Sequence, residues 1–286
     1  MSRIAYVNGQ YLPHESAGIH IEDRGFQFSD GVYEVCEVRA GRLIDARLHL
    51  DRLDRSLREL RIAPPMARGA LLVVLNETVR RNRVREGLVY LQVTRGIARR
   101  DHGFPAEGTP ASVIVTARAL NPTANEAKAA KGVKVISVPD NRWDRVDIKT
   151  VGLLPNVLAK QQAREAGAFE AWFIDADGHV TEGASTNAWI LTADGALVTR
   201  PAETGILRGI TRTVLMEVAA AEGLKVEERP FTIAEALRAR EAFVTSASSV
   251  VLPVIAIDGQ PIGNGHPGLV ALKLRSRFHD FAEAGV

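Results

Sequence analysis

The sequence predicts an α+β fold in two parts: a small N-terminal α/β domain and a larger C-terminal domain whose barrel-like sheet is flanked by helices. Three observations predict it. The chain has 286 residues, which at roughly 150 per domain suggests about two domains. Its first third mixes strand patterns with two helices. Its second half carries many short strands separated by tight turns.

The first two strands flank Asn8-Gly9, a primed-turn dipeptide between residues 4–7 and Tyr11-Leu12. Residues 32–38 alternate in polarity and turn at Ala40-Gly41 into residues 42–44. A helix follows, with Leu50, Leu53, Leu57 and Leu60 on one stripe, and Pro64-Pro65 ends it. A second helix runs over residues 68–82, and residues 88–94 and 112–116 are strand-like. Residues 1–118 are thus the predicted N-terminal domain. Residues 119–132 hold Asn121-Pro122 and few bulky apolar side chains, which predicts an interdomain linker.

Residues 133–286 are the predicted second domain. A strand over 133–138 precedes a helix over 155–166, with Pro155 tolerated near its first turn. Strands at 170–175, 187–192 and 196–199 are joined by Asp177-Gly178 and Asp194-Gly195. A helix over 209–222, strands at 225–228, 242–245 and 251–257, and a helix over 268–284 complete the chain.

Hydrophobic residues make up 46% and charged residues 24%, a globular balance that excludes general disorder. Cys36 is the only cysteine, which excludes an intrachain disulfide and a cysteine-built zinc or iron–sulfur centre. The first residues show no secretory apolar region, and no apolar run approaches the ~18 residues that span a bilayer. The expectation is a soluble, cytoplasmic protein with no metal and no membrane contact.

Arginine dominates the cations. Only seven of the 36 basic residues are lysines, and none lies in the first 127 residues. Residues 39–100 hold fifteen arginines against six acidic residues. That excess would suit nucleic acid. Yet Asp51-Arg52, Asp54-Arg55 and Arg58-Glu59 mix signs along one helix, and no nucleic-acid motif accompanies them. Anionic small molecules account for the same arginines, so no nucleic-acid partner is expected. Residues 263–268 match a dinucleotide fingerprint, but only 18 residues follow, too few to complete its βαβ unit.

Three segments carry candidate chemistry. Lys149 lies in Asp144-Arg145-Val146-Asp147-Ile148-Lys149-Thr150. A lysine amine attacks a carbonyl only when unprotonated, and its ordinary pKa of ~10.4 must fall through burial or a nearby cation. On spacing alone, a surface ion pair with Asp147 is the simpler reading. Glu182 sits in the glycine- and hydroxyl-rich segment 180–187, either as a hairpin residue or as a carboxylate for a ring nitrogen. Residues 205–212 open a helix whose backbone N–H groups suit a phosphate.

Taken together and in this order, these segments resemble the class IV pyridoxal-phosphate aminotransferases, most closely the D-amino-acid aminotransferases. The resemblance runs nearly end to end. It rests on Glu22-Asp23-Arg24-Gly25, Phe28-Ser29-Asp30-Gly31-Val32-Tyr33-Glu34, His49-Leu50-Asp51-Arg52-Leu53 and Gln92-Val93-Thr94-Arg95-Gly96. It continues through Asp147-Ile148-Lys149, Val180-Thr181-Glu182-Gly183, Gly209-Ile210-Thr211-Arg212 and Phe243-Val244-Thr245-Ser246.

The resemblance implies fold type IV with pyridoxal 5'-phosphate as cofactor. It implies that Lys149 forms the Schiff base and carries the proton between substrate and cofactor. Glu182 would keep the pyridine nitrogen protonated. Arg52, with the backbone of Ile210 and Thr211, would hold the phosphate, and Leu207 and Ala247 would complete the cofactor pocket. Arg52 lies off the leucine stripe, so periodicity alone places it in solvent. Tyr33, Arg100 and His102 would grip the α-carboxylate, the last two from a loop that in this family reaches a neighbouring subunit, which implies a homodimer. The implied reaction is ping-pong: a D-amino acid such as D-alanine or D-glutamate gives its amino group to 2-oxoglutarate or pyruvate. Competing readings within the class are an aminodeoxychorismate lyase, a branched-chain L-aminotransferase and an (R)-amine transaminase. Outside it stands a non-catalytic arginine-rich binding protein. Ala184 and Ala247 depart from the Ser or Thr common in the D-amino-acid enzymes.

Overall fold

The computed structural model describes residues 3–202 and 205–285. The outermost positions of both expected domain ranges, and the leader reading at Met1-Ser2, lie outside those residues. The chain divides into two compact units. The first comprises Met1–Asn121, Ile148–Gly152 and Glu283–Val286, and the second Pro122–Asp147 and Leu153–Ala282.

In the first unit, β1 (Ile4–Val7) and β2 (Gln10–Pro13) form the expected hairpin. Asn8 and Gly9 both take positive φ, which a primed turn requires. A short helix α1 (Arg24–Phe28) precedes β3 (Gly31–Arg39) and β4 (Arg42–Leu43). Helices α2 (Ala46–Glu59) and α3 (Arg68–Arg81) lead to β5 (Gly87–Thr94) and β6 (Ser112–Ala119). The sheet runs β2-β1-β6-β5-β3-β4. Leu50, Leu53 and Leu57 bury the stripe of α2 against this sheet. Each such leucine contributes about 1.5–3 kcal/mol of transfer free energy. The expected helix stops at Glu59, because Arg61 takes a left-handed φ of 54°.

The second unit opens with α4 (Pro122–Lys131) and β7 (Val133–Pro139). Then come α5 (Leu154–Glu165), β8 (Glu170–Ile174), β9 (Val180–Gly183), β10 (Asn187–Leu191) and β11 (Leu197–Thr199). The unit ends with α6 (Ile210–Ala221), β12 (Val226–Glu228), α7 (Ile233–Arg238), β13 (Glu241–Ser246), β14 (Val250–Ile257), β15 (Gln260–Pro261) and α8 (Leu269–Phe281). The sheet runs β12-β11-β10-β13-β14-β7-β8-β9, with β15 on β14. Strand β9 returns alongside β10, so the sheet curls into the expected barrel-like form. Among the described residues no helix is long and apolar enough to cross a membrane.

Residues 119–132, the expected linker, end β6 and then form α4, and the two units divide between Asn121 and Pro122. Alanine, glutamate and lysine are strong helix formers, Pro122 sits where a helix tolerates it, and Gly132, at φ 71°, stops the helix. The segment Ile148–Gly152, around Lys149, belongs to the first unit. It lies on β3: Tyr33 N–H donates to Lys149 O at 3.0 Å, and Val151 N–H donates to Gly31 O at 3.1 Å. Ile148 joins the first unit's core. The edge of β3 that β4 leaves unpaired is thereby covered.

The fingerprint-like residues 263–268 form a turn before α8. Glu241 fills the start of that helix, accepting from Val270 N–H and Ala271 N–H at 3.0 and 2.9 Å. Those amides are therefore satisfied from within, as a plain helix start requires.

Candidate active site

The first unit brings Tyr33, Arg52 and Lys149 onto β3 and its neighbours. Alternation along β3 places Tyr33 and Glu34 on opposite faces. Lys149 Nζ lies 4.2 Å from the Tyr33 ring centroid, and Tyr90 stacks on Tyr33 from β5. Burial pushes the Tyr90 hydroxyl up to about 12. Asp147, which spacing suggested as the ion partner of Lys149, pairs with Arg145 at 2.9 Å.

Glu34 is enclosed. Arg52 donates to it twice, Nε to Oε1 at 2.7 Å and Nη2 to Oε2 at 2.8 Å, and His49 Nδ1 meets Oε2 at 2.8 Å. An ionised carboxylate only accepts, so Nδ1 carries the proton. Burial alone would raise Glu34, but the charge and hydrogen bonds of Arg52, aided by His49, hold it at about 2. Burial lowers His49. Arg52 therefore is not a solvent residue. Its side chain is only 10% exposed, because Glu34 on β3 draws it off the exposed face of α2.

Arg100 and His102 lie in the exposed loop after β5. The guanidinium of Arg100 stands 4.7 Å over the Phe28 ring, and His102 lies against the same ring at 5.4 Å.

The second unit gathers the other candidates. Glu182 lies in β9 and is buried. Its carboxylate accepts from Arg142 Nη1, from Asn187 Nδ2 at 3.0 Å and from Leu207 N–H at 3.2 Å. Arg142 also donates to Asp140 twice, at 2.9 and 2.7 Å. Burial works to raise Asp140, but the hydrogen bonds and charge of Arg142 keep it below the usual carboxylate range. Arg142, Asp140 and Asn187 were missing from the sequence expectation. Asn187 at least shares the 180–187 segment with Glu182, whereas nothing local marks Arg142.

Ile210 and Thr211 begin α6 and are buried. Gly209 caps that helix without any side-chain bond. A Cβ there would lie 2.1 Å from Asn187 Oδ1, so only glycine lets α6 approach the Glu182 cluster. Ala247 sits in the turn between β13 and β14. Ala184 is buried; its N–H donates to Ala171 O, and its carbonyl accepts from Asn156 Nδ2 at 2.8 Å.

Within each unit the donors suit parts of pyridoxal phosphate. One guanidinium between the carboxylates of Asp140 and Glu182 leaves a formal charge of about −1, which suits a protonated ring nitrogen. An α-helix start with no side-chain cap suits a phosphate. A lysine amine beside a half-buried aromatic pair suits an aldehyde.

The pattern of the amino-transferase class IV family matches residues 31–257. The chain is 43% identical to a D-alanine aminotransferase of Bacillus licheniformis over 261 residues, covering 91% of this chain and 90% of that one. It is 35% identical to a D-alanine aminotransferase of Staphylococcus haemolyticus over 280 residues, covering 98% of each. Among solved structures it resembles a T.th. branched-chain amino acid aminotransferase with pyridoxamine 5'-phosphate. That match has a TM-score of 0.89 and 28% identity, and covers 98% of this chain and 94% of that one. The chain belongs to the class IV aminotransferases and is a pyridoxal-phosphate-dependent enzyme.

Proposed function

We propose that the chain transfers the amino group of a D-amino acid, such as D-alanine or D-glutamate, to 2-oxoglutarate or pyruvate. The observation that carries this reading is Arg100 and His102 side by side on the Phe28 ring in one loop, a pair whose chemistry suits a carboxylate. The D-alanine aminotransferases at 35–43% identity support the handedness.

Pyridoxal phosphate, when bound, supplies an electron sink for charge developing at the substrate Cα. The chain's residues do the rest. Lys149 would hold the cofactor through its amine and would carry the proton at the substrate Cα. Glu182, its carboxylate oriented by Leu207 N–H, would hold the proton on the ring nitrogen. Arg52 and, separately, the first amides of α6 at Ile210 and Thr211 are groups that would suit the phosphate. Ala247 lines the cofactor pocket, and Tyr33, Arg100 and His102 hold the α-carboxylate. The donor leaves as a 2-oxo acid before the acceptor enters, which is the ping-pong order. We further infer a homodimer working in the cytoplasm, which sedimentation and cell fractionation check.

The test is a half-reaction followed by cofactor absorbance, with D-alanine and L-leucine as donors and Lys149→Ala as the blank. D-alanine should convert the wild type and leave the blank unchanged. Conversion by L-leucine alone would instead support the branched-chain reading that the solved neighbours favour. Pyruvate release without an acceptor would make the enzyme a lyase.

A further inference from the structure

We propose that Arg24 is a positioning residue for the Arg100-x-His102 loop and thereby sets the enzyme's affinity for the substrate carboxylate. The proposal rests on the reading that this loop binds that carboxylate.

Arg24 opens α1, and its side chain is only 4% exposed. Its Nε donates to Asp30 Oδ2 at 2.8 Å. Its two terminal nitrogens reach the loop backbone: Nη1 donates to Asp101 O at 2.7 Å and Nη2 to His102 O at 3.4 Å. One planar fork therefore holds the carbonyls of the two residues that follow Arg100. A lysine, with a single compact ammonium, cannot span both carbonyls and Asp30 together.

Charge balance alone does not require Arg24. Asp30 already holds a second buried guanidinium, Arg95, through bonds of 2.7 and 2.9 Å. The two arginines divide the remaining work. Arg95 donates to the carbonyls of Leu60 and Arg61 at the end of α2. Arg24 donates to the carbonyls of the loop. Asp30 thus fixes two guanidinium groups whose outer edges face different backbone segments.

Phe28 stands one turn on from Arg24 in α1. Arg24 and Arg100 both lie over its ring, at 4.8 and 4.7 Å, and His102 packs on it. The helix itself is pinned. Asp23 accepts from Gly25 N–H and from Thr94 Oγ1, and a Cβ at Gly25 would lie 2.3 Å from Thr94 Cγ2. So α1 is a fixed pedestal on β5. It holds the loop backbone through Arg24 and the loop side chains through Phe28.

The test uses cofactor-loaded enzyme with four variants: Arg24→Gln, Arg24→Lys, Phe28→Leu and Arg100→Ala. Arg24→Gln should raise the KM for D-alanine about tenfold while kcat stays within about threefold, the size expected for losing charge-assisted bonds to the loop. Amide hydrogen exchange of residues 101–104 should quicken, with the cofactor absorbance unchanged. Arg24→Lys should recover less than half of the loss. Phe28→Leu should raise KM about threefold, and it carries the test if Arg24→Gln does not fold. If Arg100→Ala raises KM while Arg24→Gln and Phe28→Leu leave KM and exchange unchanged, the positioning role is overturned. If Arg100→Ala itself leaves KM unchanged, the carboxylate reading fails instead, and this proposal with it.

Discussion

Glu34 and Glu182 are both buried carboxylates bonded to an arginine, but their surroundings differ. Glu34 takes a bond from Arg52 on each oxygen and adds a neutral histidine, so its cluster is formally balanced. Glu182 shares Arg142 with Asp140, so two carboxylates face one guanidinium. Burial of an unbalanced charge is costly unless something compensates it. The balanced cluster gives Arg52 a fixed anion of its own. The unbalanced one suits a cationic guest, and the start of α6 has no side-chain cap, unlike α8, whose amides Glu241 takes. The same pairing chemistry thus serves to hold an arginine in one unit and to present a carboxylate in the other.

Glu182→Gln separates these roles most strongly. It should lower kcat/KM for D-alanine by roughly 10²–10³-fold, the usual effect of removing one electrostatic stabiliser. Its stability should stay within about 1 kcal/mol of wild type, because Arg142 keeps Asp140. A destabilised but fully active variant would break the comparison.

Glu34→Gln should act first on stability. It leaves Arg52 buried without its anion, which costs about 3–5 kcal/mol in urea unfolding. A loss under about 1 kcal/mol would mean that Arg52 does not depend on Glu34.

The acid response sharpens the same contrast with a smaller effect. Glu34 stays ionised in the fold down to about 2, while an unfolded glutamate takes its proton near 4.3, an approximate reference value. Its contribution is complete above about pH 4.3 and is lost as pH falls toward about 2. His49 acts in the same direction earlier: burial lowers it, so protonation of the unfolded chain below about pH 6.5 already favours unfolding. Unfolding free energies from urea titrations should fall from pH 7 to 3, the Glu34 part by about 2 kcal/mol at pH 3. Glu34→Gln should remove the Glu34 part of that fall.

Much of the fold was legible in the sequence, for local reasons. The Asn8-Gly9 hairpin needs only two residues that tolerate positive φ. The α2 stripe needs only a 3.6-residue period. α4 was missed because Asn121-Pro122 reads as a break, although the proline sits at the helix start and alanines follow. α1 was missed because five residues cannot show a period. Arg52 lies opposite the apolar stripe, so only its pairing with Glu34, eighteen residues away, brings it inside.

The amino-acid order alone determined the family, the short list of cofactor and substrate candidates, and the choice of Lys149 among seven lysines. Those signals are carried by residue types at fixed local spacing. The tertiary structure decided that the Lys149 segment packs with the N-terminal unit, that Arg142 stands beside Glu182, and that Arg24 holds the loop of Arg100. These are long-range pairings: 40 residues of chain separate Arg142 from Glu182, and 77 separate Arg24 from Asp101. No periodicity encodes such a pairing, because it forms only when buried charge and backbone carbonyls meet in three dimensions and must satisfy one another.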